Sequence, residues 1–216
     1  MCFASSAKTK DPLIPAVVTV GPYTAPVWLQ TQWTEGEYAC YINKNGCGYC
    51  STATTLGLHG ITVTPYQVYE RCRTLWGPPQ GNQGHYISDS GIVKVLKSFG
   101  VHAEYFCMGA GDEAATKAHI SAALTSDKQV LICSIPSDRL PNNPFSPGAH
   151  WVLAVGYGNA AGDILIANSS NRSNNAGAHL VTMDTVVAAI LPGGQIQDNT
   201  WGNSGYKTYA GYVIVG

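Results

Sequence analysis

From Asn45 to Tyr69 the chain carries no Asp, Glu, Lys or Arg. A segment of that length with a face to water would carry charge, so it reads as secondary structure buried on most sides. Its first part, Cys47 to His59, is rich in small residues (Ser51, Ala53, Gly57) that let neighbouring backbones approach. It predicts a central helix stopped at Gly60, because glycine takes the left-handed cap at little cost. Thr64-Pro65 then supplies an N-cap and a first-turn proline, and Val68, Cys72, Leu75 and Trp76 recur at helical spacing, predicting a second helix to about Trp76. Ser88, Asp89 or Ser90 caps a third, with Ile92, Val93, Leu96 and Phe99 on one face and Gly100 as its stop, and Asp112 caps a fourth through Ala115, Ile120 and Leu124. After Ser126 the texture changes to short apolar runs between turn residues, which predicts strands over 129–135, 150–157, 163–168 and 206–215, with an earlier candidate over 101–107 and a short helix near 184–191. Gly158, Asn159 and Gly162 join two of these strands at hairpin length. Helices first and an antiparallel sheet second predict an α+β fold.

At 216 residues, with no internal repeat and no linker-like segment, the chain reads as a single domain, 1–216. Pro12, Pro15, Pro22 and Pro26 interrupt the apolar stretch behind Lys8 and Lys10, so 1–37 reads as an extended N-terminal arm and not as a signal peptide or a membrane span. Twelve Lys and Arg balance thirteen Asp and Glu, which leaves no basic field for nucleic acid or an anionic membrane. Seven cysteines, an odd number, together with few charged residues and many Tyr, Trp, Asn and Gly, point to a secreted or cell-surface bacterial protein with one thiol unpaired.

Asn45-Gly46-Cys47-Gly48-Tyr49-Cys50 places a thiol where an irregular segment meets the central helix. The unpaired N–H groups there favour an anion, which lowers a cysteine's pKa, and can also receive the oxyanion formed when a thiolate attacks a carbonyl. Alone, Cys47 and Cys50 would read as buried cysteines or disulfide partners. His150 changes that, because it stands at the mouth of the apolar strand His150-Trp151-Val152-Leu153-Ala154-Val155, where an imidazole can pair with a thiolate. Asn168 ends the next strand, where its amide can hold that ring in one tautomer. The order Cys, His, Asn matches a Cys-His-Asn nucleophilic arrangement.

These residues carry a resemblance. Asn45-Gly46-Cys47-Gly48, the apolar helix closing at Gly60, and Gly148-Ala149-His150-Trp151-Val152 resemble the papain-like peptidases that process double-glycine (bacteriocin) leader peptides, and more closely the stand-alone bacterial domains similar to them. The likeness covers about 43–168, with a weaker echo in the Gly-Tyr-Val-Ile-Val run near the C-terminus. It implies a papain-like α+β fold and peptide-bond hydrolysis through a thioester, without a cofactor or metal, on a peptide or protein substrate. It also implies Cys47 as nucleophile, His150 as base and then acid, and Asn168 as orienter where the leader peptidases generally have Asp. The family's oxyanion glutamine, usually several residues before the cysteine, is missing. Tyr41 stands six positions before Cys47, leaving Asn43, Asn45 or the more distant Gln32 as side-chain donors. Cys50 is the alternative nucleophile, since Cys47-Gly48-Tyr49-Cys50-Ser51 also resembles classical papain, where the second cysteine attacks; the helix length to Gly60 favours Cys47.

Other readings differ in class. A structural zinc on Cys47 and Cys50 needs a second close Cys/His pair, and the sequence has none. A redox role needs an alternating α/β context around the Cys-x-x-Cys pair. A non-catalytic papain-like module that binds peptide or glycan is the main alternative, suited by five Trp and twelve Tyr.

Overall fold

The computed structural model describes residues 16–20, 23–33, 42, 45–77, 86–108, 111–134, 150–170, 177–190, 200–201 and 211–216. Its centre is a six-stranded antiparallel sheet built from β4 (Ala103–Cys107), β5 (Gln129–Ser134), β6 (His150–Tyr157), β7 (Ile164–Asn168), β8 (Gly177–Val181) and β10 (Gly211–Val215). The spatial order is β4-β10-β5-β6-β7-β8. Two small ribbons flank it: β1 (Ala16–Val20) with β2 (Tyr23–Val27), and β3 (Tyr86–Ile87) with β9 (Thr200–Trp201).

The helices are α1 (Cys47–Leu58), α2 (Pro65–Trp76), α3 (Asp89–Ser98), α4 (Glu113–Thr125) and α5 (Met183–Ala189). Their ends follow from local chemistry. At α2, Thr64 and Gln67 form a reciprocal capping box, with the Gln67 N–H donating to Thr64 Oγ1 at 3.2 Å and the Thr64 N–H donating to Gln67 Oε1 at 2.8 Å. Of the three candidate caps for α3, Ser88 is the one used, accepting the Gly91 N–H at 3.0 Å. Gly60 and Gly100 stop α1 and α3 at φ of 76° and 83°. Asp112 precedes α4 without a side-chain capping bond, and α5, capped by Thr182, starts at Met183, one residue before the predicted boundary.

The sheet is buried on both faces. Leu131, Leu153, Ala167 and Val213 join one core with α1, α2 and α3, while Val130, Ile132, Val152, Ile166 and Ile214 join a second core with α4 and α5. Successive side chains of a strand point to opposite faces, so two cores explain why these strands read as continuous apolar runs and not as an alternation.

The predicted strand over 206–215 is described only as Gly211–Val215, and that over 129–135 as Gln129–Ser134; the remaining residues of each lie outside the described ones. Within the predicted 1–37 arm, the described residues are the β1–β2 hairpin followed by a 3-10 turn over Gln30–Gln32. Pro26 sits in β2 opposite Val17, in a two-stranded ribbon where a missing donor costs least. Val27, Trp28 and Trp33 are buried in the α1 core, and the Trp28 N–H donates to Thr54 Oγ1 of α1 at 3.2 Å. No described helix is long and apolar enough to cross a membrane.

Candidate active site

Cys47 is the first residue of α1, behind Gly46. The two glycines around it are steric requirements. A Cβ at Gly46 would collide with the backbone of Ile42, whose carbonyl accepts the Gly46 N–H at 2.9 Å, and a Cβ at Gly48 would collide with Ile87 Cγ2 and press on the Trp151 ring. Gly-Cys-Gly thus brings the start of α1 into backbone-close contact with β3 and β6. Polar side chains on α1 are buried and bonded: Ser51 Oγ donates to the Trp151 carbonyl at 3.1 Å, Thr52 Oγ1 to the Gly48 carbonyl at 2.7 Å, and Thr55 Oγ1 to the Ser51 carbonyl at 2.8 Å. Neutral, satisfied hydroxyls explain how a charge-free helix is buried nearly all round.

His150 opens β6 and Asn168 closes β7. The two strands are antiparallel neighbours, so residues at corresponding distances from their connecting turn meet, and both side chains are buried. His150 Nε2 lies 2.8 Å from Asn168 Oδ1, which also accepts the Ser170 N–H at 2.9 Å. A backbone N–H only donates, so the atom it meets is the carboxamide oxygen. The ring nitrogen on that same oxygen must then carry a proton, which places the lone pair of the neutral imidazole on Nδ1.

Backbone N–H groups of Trp151, Gly48 and Cys47 itself act to lower the Cys47 thiol. Trp151 directly follows His150, its ring lies against Gly48 and its carbonyl accepts the Ser51 hydroxyl, so the first turn of α1 sits against the start of β6. Burial nevertheless outweighs those N–H groups and pushes the Cys47 thiol up from its ordinary value. The sequence expectation of a thiol lowered by the helix end is therefore corrected: the helix end is present, but desolvation by burial is the larger effect. Cys50, one turn on, has no exposed surface against 8 % for Cys47, and burial, then the neighbouring Cys47, push its thiol up much further.

Asn45 is half-buried just ahead of Gly46, and Asn43 lies outside the described residues. Gln32 caps its own turn, its Oε1 accepting the Leu29 N–H at 2.9 Å. The residue that sequence reasoning missed is Gln30. It is buried, its backbone N–H donates to the Ser169 carbonyl at 3.0 Å beside Asn168, and its Nε2 donates to the Ile42 carbonyl at 3.1 Å, one turn before Cys47. It therefore bridges the two sides of the site, and only its position between two tryptophans, Trp28 and Trp33, hinted at that burial. Cys47, Cys50, Cys72 and Cys107 are free thiols. Among the described residues no group of three or more His, Cys, Asp or Glu could hold a metal ion.

Residues 24–189, more than half of the chain, match the Peptidase_C39 like family. The protein belongs to that family. Its membership and its α+β architecture make this a cysteine-peptidase-like protein. Among solved structures, this C39-like chain is similar to the peptidase domain of Streptococcus ComA, a bi-functional ABC transporter involved in a quorum sensing pathway, at 10% identity over 79% of this chain and 89% of that one, with a TM-score of 0.45. It is also similar to a protein described as a C39-like peptidase of Bacillus anthracis, at 14% identity over 80% and 89% of the two chains, with a TM-score of 0.46. None of the curated proteins matches it.

Proposed function

We propose that this C39-like protein is an active cysteine peptidase, hydrolysing peptide or other amide bonds with Cys47 as nucleophile, His150 as base and acid, and Asn168 as orienter. The observation that carries the reading is the shared Asn168 oxygen, which fixes His150 in the tautomer whose lone pair is on Nδ1. Because burial raises the Cys47 thiol, the attacking form depends on His150 Nδ1 taking the proton, and the nearby backbone N–H groups, which act to lower the thiol, favour the ion pair so formed. The thiolate attacks the carbonyl carbon, and the negative charge moves to the carbonyl oxygen beside the first N–H groups of α1. Collapse breaks the C–N bond as the imidazolium returns its proton to the leaving amine. Water, deprotonated by His150, then hydrolyses the thioester.

Gln30 joins the candidate side-chain oxyanion donors, since it is buried between the approach to α1 and the end of β7, with one Nε2 hydrogen held by the Ile42 carbonyl. Removing one oxyanion donor costs about a hundredfold or more in rate.

Limiting iodoacetamide at pH 6 followed by peptide mapping tests the assignment. Label should fall on Cys47, persist in Cys50→Ala, and slow by about a hundredfold in His150→Ala. Fast label on Cys50 that survives Cys47→Ala would transfer the nucleophile. Equal, slow labelling of every cysteine would leave a non-catalytic binding module.

A further inference from the structure

The last paired residues of β6 and β7 are Leu153 and Ala167, so Trp151 lies beyond the β6–β7 ladder. Helix α1 occupies that place. The Trp151 ring lies against Gly48, and the Trp151 carbonyl accepts the Ser51 hydroxyl at 3.1 Å. Cys47 and Ser51 are four residues apart and so share one face of the helix. On its other side Trp151 is anchored by its indole N–H, which donates to the Ile87 carbonyl at 3.2 Å.

We infer that Ser51 is a positioning residue: its hydroxyl on the Trp151 carbonyl fixes how α1 sits along β6, and thereby sets Cys47 against His150. The inference rests on Cys47 and His150 being nucleophile and base. Ser51 touches neither reacting atom. It acts through the residue that follows His150, and a displacement of about 1 Å at a reacting pair is enough to cost on the order of a hundredfold in rate. The titratable groups on α1 that interact with Cys47 are Tyr49 and Cys50, the base of the proposed pair is His150 on β6, and changing Ser51 removes none of them.

Thr54 supplies the comparison. It is equally buried on the same helix, but its hydroxyl oxygen accepts the Trp28 N–H, an attachment to the N-terminal segment and not to β6. The experiment is the rate of iodoacetamide labelling at Cys47 from pH 5 to 10 in the parent, Ser51→Ala, Ser51→Thr, Thr54→Val and His150→Ala, with thermal unfolding of each. Alanine fits the Ser51 site and favours the helix, so that variant folds. In Ser51→Ala the profile should move up by about half a pH unit or more, because α1 is then free to shift along β6 and carry Cys47 away from His150, with labelling at pH 6.5 falling about fivefold. Ser51→Thr, which keeps a hydroxyl, should stay near the parent, and Thr54→Val should lower Tm without moving the profile. Superimposed parent and Ser51→Ala profiles, with His150→Ala displaced, would overturn the positioning role alone. So would a Thr54→Val shift as large as that of Ser51→Ala, since it would mean general loosening of α1. A His150→Ala profile identical to the parent would instead defeat the peptidase reading itself.

Discussion

The two faces of the sheet adhere to their helices by different means. On the α4/α5 side aliphatic packing, of Ile120 and Leu124 from α4 and Val186 and Val187 from α5 against Val130, Ile132, Val152 and Ile166 of the sheet, is joined by bonds between side-chain ends, His119 to Tyr212 and Ser121 to Tyr157. On the α1 side an apolar core that includes Tyr49, Leu56, Leu131 and Leu153 also holds small and polar groups set close to the backbone of β6, with Gly48 pressed on Ile87 and Trp151, and Ser51 bonded to the Trp151 carbonyl. Aliphatic packing is strong but tolerant of repacking, whereas a hydrogen bond at a backbone-close contact permits little sliding. The stiff attachment is on the side that carries Cys47. Both faces thus supply bulk cohesion, and the α1 face adds a backbone-close contact to it.

The sharpest way to separate them is to damage each face and read both stability and Cys47 labelling. Ile132→Ala, in the aliphatic core, should cost about 2–5 kcal/mol in denaturant unfolding while leaving the labelling rate of the folded protein near that of the parent. Gly48→Ala should cost less, about 1–3 kcal/mol, because its Cβ forces Ile87 and Trp151 to shift, yet it should depress labelling strongly. Gly156→Ala on β6, where a Cβ meets nothing, is the control and should move neither readout. The reverse pattern, with Ile132→Ala silencing Cys47 and Gly48→Ala sparing it, would dissolve the distinction.

Alkaline titration probes the same contrast, since the buried thiols of Cys50 and Cys72 both lie in the α1 core. Burial raises the folded-state value of each, so above the unfolded value near 8.5 the unfolded chain releases protons that the folded chain keeps. Stability is therefore full below that pH and falls above it, by up to about 1.4 kcal/mol per pH unit for each thiol. Urea unfolding between pH 7 and 10 should show the slope, and Cys72→Ala should flatten it. The smallest effect belongs to Lys117→Ala on the far side: its ion pair with Asp184 at 2.6 Å joins two exposed side chains, and its loss should cost less than about 1 kcal/mol.

What was legible in the sequence had a local cause. Thr64-Pro65 with Gln67 announces α2 because the capping box is made within four residues, and Gly60 and Gly100 announce stops because they alone take positive φ cheaply. His150 and Asn168 were readable as partners because a hairpin brings them together without long-range information. β8 was missed: Gly177–Val181 is an outer strand with little apolar alternation, and its Leu180 is exposed. The β1–β2 hairpin was hidden by its prolines. The raised Cys47 thiol was unreadable for another reason. The helix end is written in adjacent residues, while the burial that overrides it exists only once the chain is packed. Gln30 and Ser51 likewise owe their places to partners from other elements.

One topological detail has a consequence for how the chain reaches this state. β10, at residues 211–215, lies between β4 at 103–107 and β5 at 129–134 and hydrogen-bonds to both. During synthesis β4 and β5 are made early but have no ladder to each other, so each presents an open edge until a strand made some eighty residues later arrives. Joining such distant segments is slow, because a long loop must close before its contacts contribute. The interval leaves apolar strand edges available to other chains, so yield on refolding should fall steeply with protein concentration even where the finished fold is stable.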